Sequence, residues 1–365
     1  MTMQRDWENF NISQFNQDLI RWFYKYKRDL PWRQTKNPYY IWVSEVMLQQ
    51  TQVDTVIPYY QRFITKFPTP QDLASADEEA VLKIWEGLGY YSRARNLQQG
   101  VREVVENYQG RVPDNKNDIL SIKGIGPYTA GAVLSIAYDR PEPAVDGNVM
   151  RVLSRVFLID DDIAKQKTRR LFEEIIYRII PESDPSAFNQ GLMEIGALIC
   201  KPKQAKCEQC PLAAHCGAYE EGVQTEYPVK KKKTPPKPLH FAVLVLKNQS
   251  GEYLIRKRPE KGLLAKLWEF PMIPLESPET SIEESVRDYI EKNYSAPVKI
   301  NDVNINIQHT FTHLKWHLSL FAGSIEQRIS AEKDEQWASL GQLEKFPFPV
   351  SHQKIVDKIK QGLIS

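Results

Sequence analysis

All four cysteines of the 365-residue chain fall in one short run, spaced Cys200-x6-Cys207-x2-Cys210-x5-Cys216. Four thiolates so placed suit either a tetrahedral zinc ion or a [4Fe–4S] cluster. Spacing leaves the two open. The start of the chain, Met1 to Phe10, is polar and acid-bearing and does not read as a signal peptide, so the cysteines read as a metal site rather than a disulfide framework. Between Cys200 and Cys207 stand Lys201, Lys203 and Lys206, a spacing compatible with phosphate contacts.

Two carboxylates are placed where acid–base or electrostatic work is feasible. Glu45 sits in WVSEVMLQQT (Trp42 to Thr51), with apolar residues at the next three positions. Burial at a cleft wall disfavours the anion and keeps such a group able to donate a proton near neutral pH. An exposed helical glutamate is the plainer alternative. Asp146, in Val145-Asp146-Gly147-Asn148, immediately precedes a helical pattern. It can cap that helix, or it can stabilise a positive charge that develops on a sugar.

A hairpin connects these features. Ile122-Lys123-Gly124-Ile125-Gly126-Pro127-Tyr128-Thr129-Ala130 lies between two helical patterns. Glycines spaced by one residue allow a tight turn, and the N–H groups there, with the following helix N-terminus, can grip a phosphate. A simple turn accounts for the same residues.

The elements that must position these groups divide into two kinds. Up to the cysteines the pattern is helix after helix. The first is capped at Ser13 and runs to about Lys27, the second opens at Asn37-Pro38, and others are expected near 53–66, 92–108, 115–121, 128–138, 147–157, 167–180 and 186–199. Then comes VKKKKTPPKP (Val229 to Pro238), a charged, proline-rich tether. Beyond it, Phe241 to Leu246, Tyr253 to Arg256, Trp268 to Met272, 303–308 and 316–322 read as strands, with helices near 281–292 and 351–361. The expected division is a helical unit over 1–222, with the hairpin at 115–138 and the cysteine loop at 200–216, a linker over 223–238, and an α+β unit over 239–365. The net charge of +2 does not by itself establish nucleic-acid binding, and no apolar run reaches the length of a membrane span.

Taken in this order, the hairpin, Glu45, Asp146 and the cysteines resemble the endonuclease III superfamily of DNA glycosylases, and within it the MutY-type adenine DNA glycosylases. The resemblance covers the chain from about Phe15 to the last helix. It rests on Ser44-Glu45-Val46-Met47-Leu48-Gln49-Gln50-Thr51-Gln52-Val53, Gly87-Leu88-Gly89-Tyr90-Tyr91, Asp146-Gly147-Asn148-Val149 and the cysteine spacing. It implies a mainly α helix-hairpin-helix glycosylase core with a [4Fe–4S] cluster on Cys200, Cys207, Cys210 and Cys216, plus a C-terminal α+β Nudix-like domain. It further implies hydrolytic excision of adenine mispaired with 8-oxoguanine or guanine. Glu45 would protonate adenine N7, and Asp146 would stabilise the oxocarbenium-like state, both supported by Tyr128 and Asn148.

By the same resemblance Trp32 and Arg33 receive the extruded adenine, Gln50 and Tyr90 wedge beside the 8-oxoguanine, and Thr51, Leu88, Gly89, Gly124 and Gly126 contact DNA. Bifunctional relatives carry a lysine at the position of Tyr128, which cannot form a Schiff base, so efficient lyase activity is not expected. Lys123 stands where the family more often has proline. The C-terminal domain lacks the acids of a Nudix hydrolase, since Pro274-Leu275 and the segment from Glu276 to Ser281 occupy their place. Its lesion-reading loop matches Phe311-Thr312-His313, with Thr where many members have Ser; an ordinary strand turn is the alternative. The implied partner is double-stranded DNA bearing A:8-oxoguanine or A:G, met by a monomeric, cytoplasmic, nucleoid-associated bacterial protein with further replication or mismatch-repair partners. A lyase acting on oxidised pyrimidines and a non-catalytic lesion-binding protein are the competing readings.

Overall fold

The computed structural model describes residues 10–231, 234–275, 282–294, 298–325 and 334–364. They form two compact units, one of Met1–Ser75 with Asn96–Lys232 and one of Ala76–Arg95 with Lys233–Ser365. Among the described residues, twelve α-helices precede the first strand: α1 (Ile12–Tyr26), α2 (Pro38–Leu48), α3 (Val53–Lys66), α4 (Pro70–Ser75), α5 (Glu78–Ile84), α6 (Ser92–Tyr108), α7 (Lys116–Ser121), α8 (Pro127–Tyr138), α9 (Gly147–Phe157), α10 (Gln166–Ile179), α11 (Pro185–Leu198) and α12 (Gly217–Glu220). After them come β1 (Lys237–Asn248), β2 (Tyr253–Lys257), β3 (Trp268–Glu269), β4 (Met272–Leu275), α13 (Ile282–Asn293), β5 (Val298–Thr310), β6 (Leu314–Ile325), β7 (Glu335–Ala338), α14 (Leu340–Leu343) and α15 (Val350–Lys360). Among the described residues no helix is long and apolar enough to cross a membrane.

In the first unit, α1, α9, α10 and α11 bury one shared core, including Phe15, Leu19, Leu153, Phe172, Phe188 and Leu192. Each such side chain contributes about 1.5–3 kcal/mol on leaving water. α8 is apolar on every side and buried from Thr129 to Ile136, as expected of a helix enclosed by neighbours. It packs against α2, α7 and α11. A Cβ on Gly131 would lie 1.8 Å from the carbonyl oxygen of Pro143. Glycine is therefore required where the chain crosses α8 on its way to Asp146.

The second unit holds a mixed sheet in the order β3-β2-β1-β6-β5, with β4 on β1 and β7 on β2. β1 and β6 run parallel, and every other pairing is antiparallel. Along β1, Ala242, Leu244 and Leu246 join the core with Val286 and Ile290 of α13, while Val243 and Val245 join that of Ile355 and Ile359 of α15. Alternation sends successive residues to opposite faces, and both faces are covered. That is why FAVLVL is an unbroken apolar run.

Several expectations need correction. α1 is capped by Asn11, whose side chain accepts from the Gln14 N–H, and not by Ser13. The run Trp268 to Met272 is two strands split at Phe270-Pro271. The proline-rich tether is shorter than 223–238: Val229 O accepts from Ile163 N–H at one end, and Lys237 and Pro238 already pair with β6 at the other. Ala76–Arg95, expected with the helical unit, belongs to the second unit. There Tyr91 Oη donates to Phe348 O, and Arg95 donates to Ala265 O. Pro274 and Leu275 lie in β4, opposite Phe241 and His240; the segment from Glu276 to Ser281 lies outside the described residues.

Candidate active site

Glu45 occupies the C-terminal half of α2, a helix started by Asn37, which caps Tyr39 N–H, and by Pro38 at its first position. The expectation of burial holds: its relative exposure is 4%. Tyr128, at the start of α8, donates its hydroxyl to Glu45 Oε2 at 2.5 Å. Burial raises the Glu45 carboxyl to about 7, with the nearby Asp146 adding to the rise, while the Tyr128 hydrogen bond and the Arg33 charge oppose it. Because Oε2 accepts from Tyr128, a protonated Glu45 presents its acidic hydrogen from Oε1.

Asp146 caps α9. Its Oδ1 accepts from Val149 N–H at 2.7 Å and its Oδ2 from Asn148 Nδ2 at 2.8 Å. Burial raises this acid, and those hydrogen bonds, the Asn148 N–H and the Arg151 charge all oppose it. The helix N-terminus favours its anion as well. Arg151 Nη2 donates to Asn148 Oδ1 and thereby fixes which way that amide points. α9 can begin this close to α11 because a Cβ at Gly196 would meet Asn148 Cβ at 2.5 Å.

The first unit brings these groups to one cavity of about 140 Å³, whose wall includes Trp32, Arg33, Glu45, Thr51, Tyr128, Asp146 and Asn148. Among the further wall residues that escaped sequence reading are the polar Arg28, Gln190 and Glu194. Glu194 is 1% exposed and accepts from both Arg28 and Arg33. Only its place on the inner side of α11, one turn beyond Gln190, hinted at it. Gln50 is exposed, with a left-handed backbone (φ 58°) just past α2, and does not line the cavity.

The hairpin forms as the glycines suggest. Gly124 has φ +81°, and Gly126 precedes α8 with nothing within 4 Å of where a Cβ would stand. A backbone or phosphate can approach that open side. Lys123 is exposed, and its N–H donates to Glu103.

In the second unit, Gly89, Tyr90, Phe311, Thr312 and His313 line a separate pocket of about 420 Å³. Leu88 is buried and not part of that wall. Tyr90 is 45% exposed and has φ +48°, following Gly87 and Gly89, both also left-handed. The guanidinium of Arg93 lies 5.3 Å from its ring centroid. Phe311-Thr312-His313 is the turn between β5 and β6, and Thr312 Oγ1 is 3.2 Å from Tyr90 Oη.

The cysteines surround two short turns, Cys207–Gln209 and Ala213–His215, and are only partly exposed. Arg155 Nη1 donates to Cys200 Sγ at 3.2 Å, and Gln224 Nε2 to Cys207 Sγ at 3.8 Å. Burial pushes the Cys210 thiol up to about 12 and that of Cys216 up to about 11, with the charges of the other cysteines adding to both. Lys201, Lys203 and Lys206 are exposed.

Residues 43–178 match the HhH-GPD superfamily of base excision DNA repair proteins, and residues 242–358 match the NUDIX domain. Over 355 residues the chain is 35% identical to an adenine DNA glycosylase of Buchnera aphidicola subsp. Schizaphis graminum, covering 95% of this chain and 99% of the relative. The chain belongs to the adenine DNA glycosylase family. The adenine DNA glycosylase of Rattus norvegicus is 34% identical over 374 residues, 88% of this chain and 72% of its own. Endonuclease III, trapped as a covalent intermediate with DNA in an estranged-adenine complex, is similar in fold, with a TM-score of 0.50 and 25% identity over 61% of this chain and 99% of that one.

As an adenine DNA glycosylase the chain is a base-excision repair hydrolase that acts on N-glycosyl bonds. Endonuclease III-like glycosylases generally carry a [4Fe–4S] cluster. Among the described residues, no three His, Cys, Asp or Glu side chains close around a single ion position. The four half-buried cysteines, with N–H donors aimed at Cys200 and Cys207, are a donor set that fits a thiolate-held metal group.

Proposed function

We propose that this enzyme hydrolyses the bond between adenine and deoxyribose where adenine is mispaired with 8-oxoguanine or guanine. One observation carries the reading: two differently hydrogen-bonded carboxylates, Glu45 buried and Asp146 half-buried, face a single cavity. The target nucleotide must leave the helix, at a cost of roughly a few kcal/mol of lost stacking. Trp32 and Arg33 would then hold the base. Glu45, anchored by Tyr128, delivers a proton to adenine N7, which turns the purine into a neutral leaving group. Asp146, raised by burial but held back by its hydrogen bonds from Val149 N–H and Asn148, stabilises the cationic sugar as its anion until water adds. Such separation of two carboxyl environments is how one site keeps an acid and an anion side by side.

Tyr128 offers no amine, so the product is an intact abasic site. The Gly124–Gly126 hairpin would grip the backbone, with Lys123 as one more phosphate contact. The pocket of Tyr90 and Thr312 would read the 8-oxoguanine, with Gln50 and Gly89 as further DNA contacts. Cys200, Cys207, Cys210 and Cys216 would hold the [4Fe–4S] cluster, which when bound supplies a covalent staple across the loop bearing Lys201, Lys203 and Lys206. The test is a set of four duplexes with adenine opposite 8-oxoguanine, G, C or T, assayed with and without alkali. Free adenine from the first two, with strand breakage only after alkali, is expected. Breakage without alkali, trapped as a borohydride adduct, would replace this reading with a lyase.

A further inference from the structure

Arg28 and Glu194 are charged groups of the cavity wall that this chemistry leaves unused. The Glu194 carboxylate accepts five N–H bonds. Arg28 gives three, from its backbone N (3.0 Å), Nε (2.9 Å) and Nη2 (2.8 Å), and Arg33 gives two, from Nη1 (3.0 Å) and Nη2 (2.9 Å). Arg33 is locked further by Gln190 Oε1 and the Arg28 carbonyl, both at 3.1 Å. Burial would raise the Glu194 acid, but the two guanidinium groups overcome it and hold it at about 2, so it is an anion at any working pH.

The titratable and charged groups facing the cavity are Glu45 from α2, Arg28 and Arg33 from the segment between α1 and α2, Tyr128 from α8, Asp146 before α9, and Glu194 from α11. Without Glu194 both cations would lose the carboxylate they donate to; Asp54 still faces Arg28, but Arg33, whose charge already acts on Glu45, would lose this partner. Charges in so dry a site interact strongly, and a bare cation favours the carboxylate over the acid.

We infer that Glu194 is a positioning residue that clamps Arg28 and Arg33 and offsets their charge, so that Glu45 stays protonated. The inference rests on the proposed role of Glu45 as proton donor. It concerns a residue that touches neither base nor sugar in that scheme.

The test is single-turnover adenine release by the full-length chain from about pH 5 to about pH 9, together with infrared titration of the Glu45 carboxylic acid. In Glu194→Gln the alkaline limb should move down by about one pH unit, a loss of about tenfold above the limb and little loss below it. Glu194→Asp keeps the charge and should keep the limb in place. Arg33→Gln combined with Glu194→Gln removes one charge of each sign and should return the limb to the wild-type position, even if the single variant folds poorly. A uniform loss at every pH, or a double variant whose limb stays displaced, overturns the inference. If the wild-type chain released no adenine, the function would fall, while the infrared titration would still report whether Glu194 governs Glu45.

Discussion

Tyr128 and Glu45, 83 residues apart in the chain, share a hydrogen bond in which the phenol is donor and the carboxyl oxygen Oε2 is acceptor. Burial drives the phenol well above its ordinary range, so it remains a donor throughout the working pH. The bond assigns the two carboxyl oxygens different tasks, one anchored and one free to carry the proton.

Replacing Tyr128 by Phe removes the anchor but leaves the ring. The hydrogen bond lowers the Glu45 acid, so its loss should move the alkaline limb of adenine release to higher pH. At neutral pH the rate should fall by about fivefold, the worth of one hydrogen bond of about 1 kcal/mol. A limb that moves downward would show that Tyr128 acts otherwise.

Glu45 must be protonated and Asp146 ionised for the proposed chemistry. Release should therefore decline as pH rises above about 7 through Glu45, and decline again in acid as Asp146 takes up a proton, giving a bell. Glu45→Gln should lower single-turnover release by at least about 100-fold, while affinity for the 8-oxoguanine duplex stays near wild type. Full turnover by that variant would remove Glu45 from the mechanism.

Thr312 Oγ1 and Tyr90 Oη, both of residues that line the second pocket, sit 3.2 Å apart. Thr312→Ala removes one hydroxyl that can donate and accept. Preference for 8-oxoguanine over guanine opposite adenine should drop by roughly tenfold, with little change in release from A:G. Equal losses on both duplexes would point to a structural role. Thr312→Ser, lacking only the methyl, should retain the preference.

Cys207→Ser takes away one of the four proposed cluster ligands. The purified variant should lose the visible absorbance of an iron–sulfur cluster and much of its DNA affinity. Unchanged affinity without that absorbance would separate the cluster from DNA binding.

His352 is fully buried in the second unit. It accepts from Phe270 N–H at 3.1 Å, and burial lowers its pKa to about 3. Its folded value lies below the unfolded one, so the neutral ring stabilises the fold above about pH 6.5. That stability is lost as pH falls toward 3, by about 1.4 kcal/mol per unit. Melting curves across this range should flatten in His352→Gln; an identical slope would assign the acid sensitivity elsewhere.

Much of this molecule is visible without coordinates, because the signals are local. Cysteine spacing, the Asn37-Pro38 helix start, the Gly124–Gly126 turn and the apolar run of β1 each depend on a few neighbouring residues. Glu45 and Asp146 were recognisable as candidates for the same reason. The apolar neighbours of Glu45 suggested its burial, but an exposed helical glutamate stayed open, since neighbours in one helix do not say which elements close over it. The tertiary structure alone decided that Glu194 meets Arg28 across 166 residues, that residues 76–95 join the second unit, and that Thr51 lines the cavity while Gln50 does not. Convergence of side chains from distant elements follows from how helices pack, and packing energy sums over contacts that no short stretch of sequence contains.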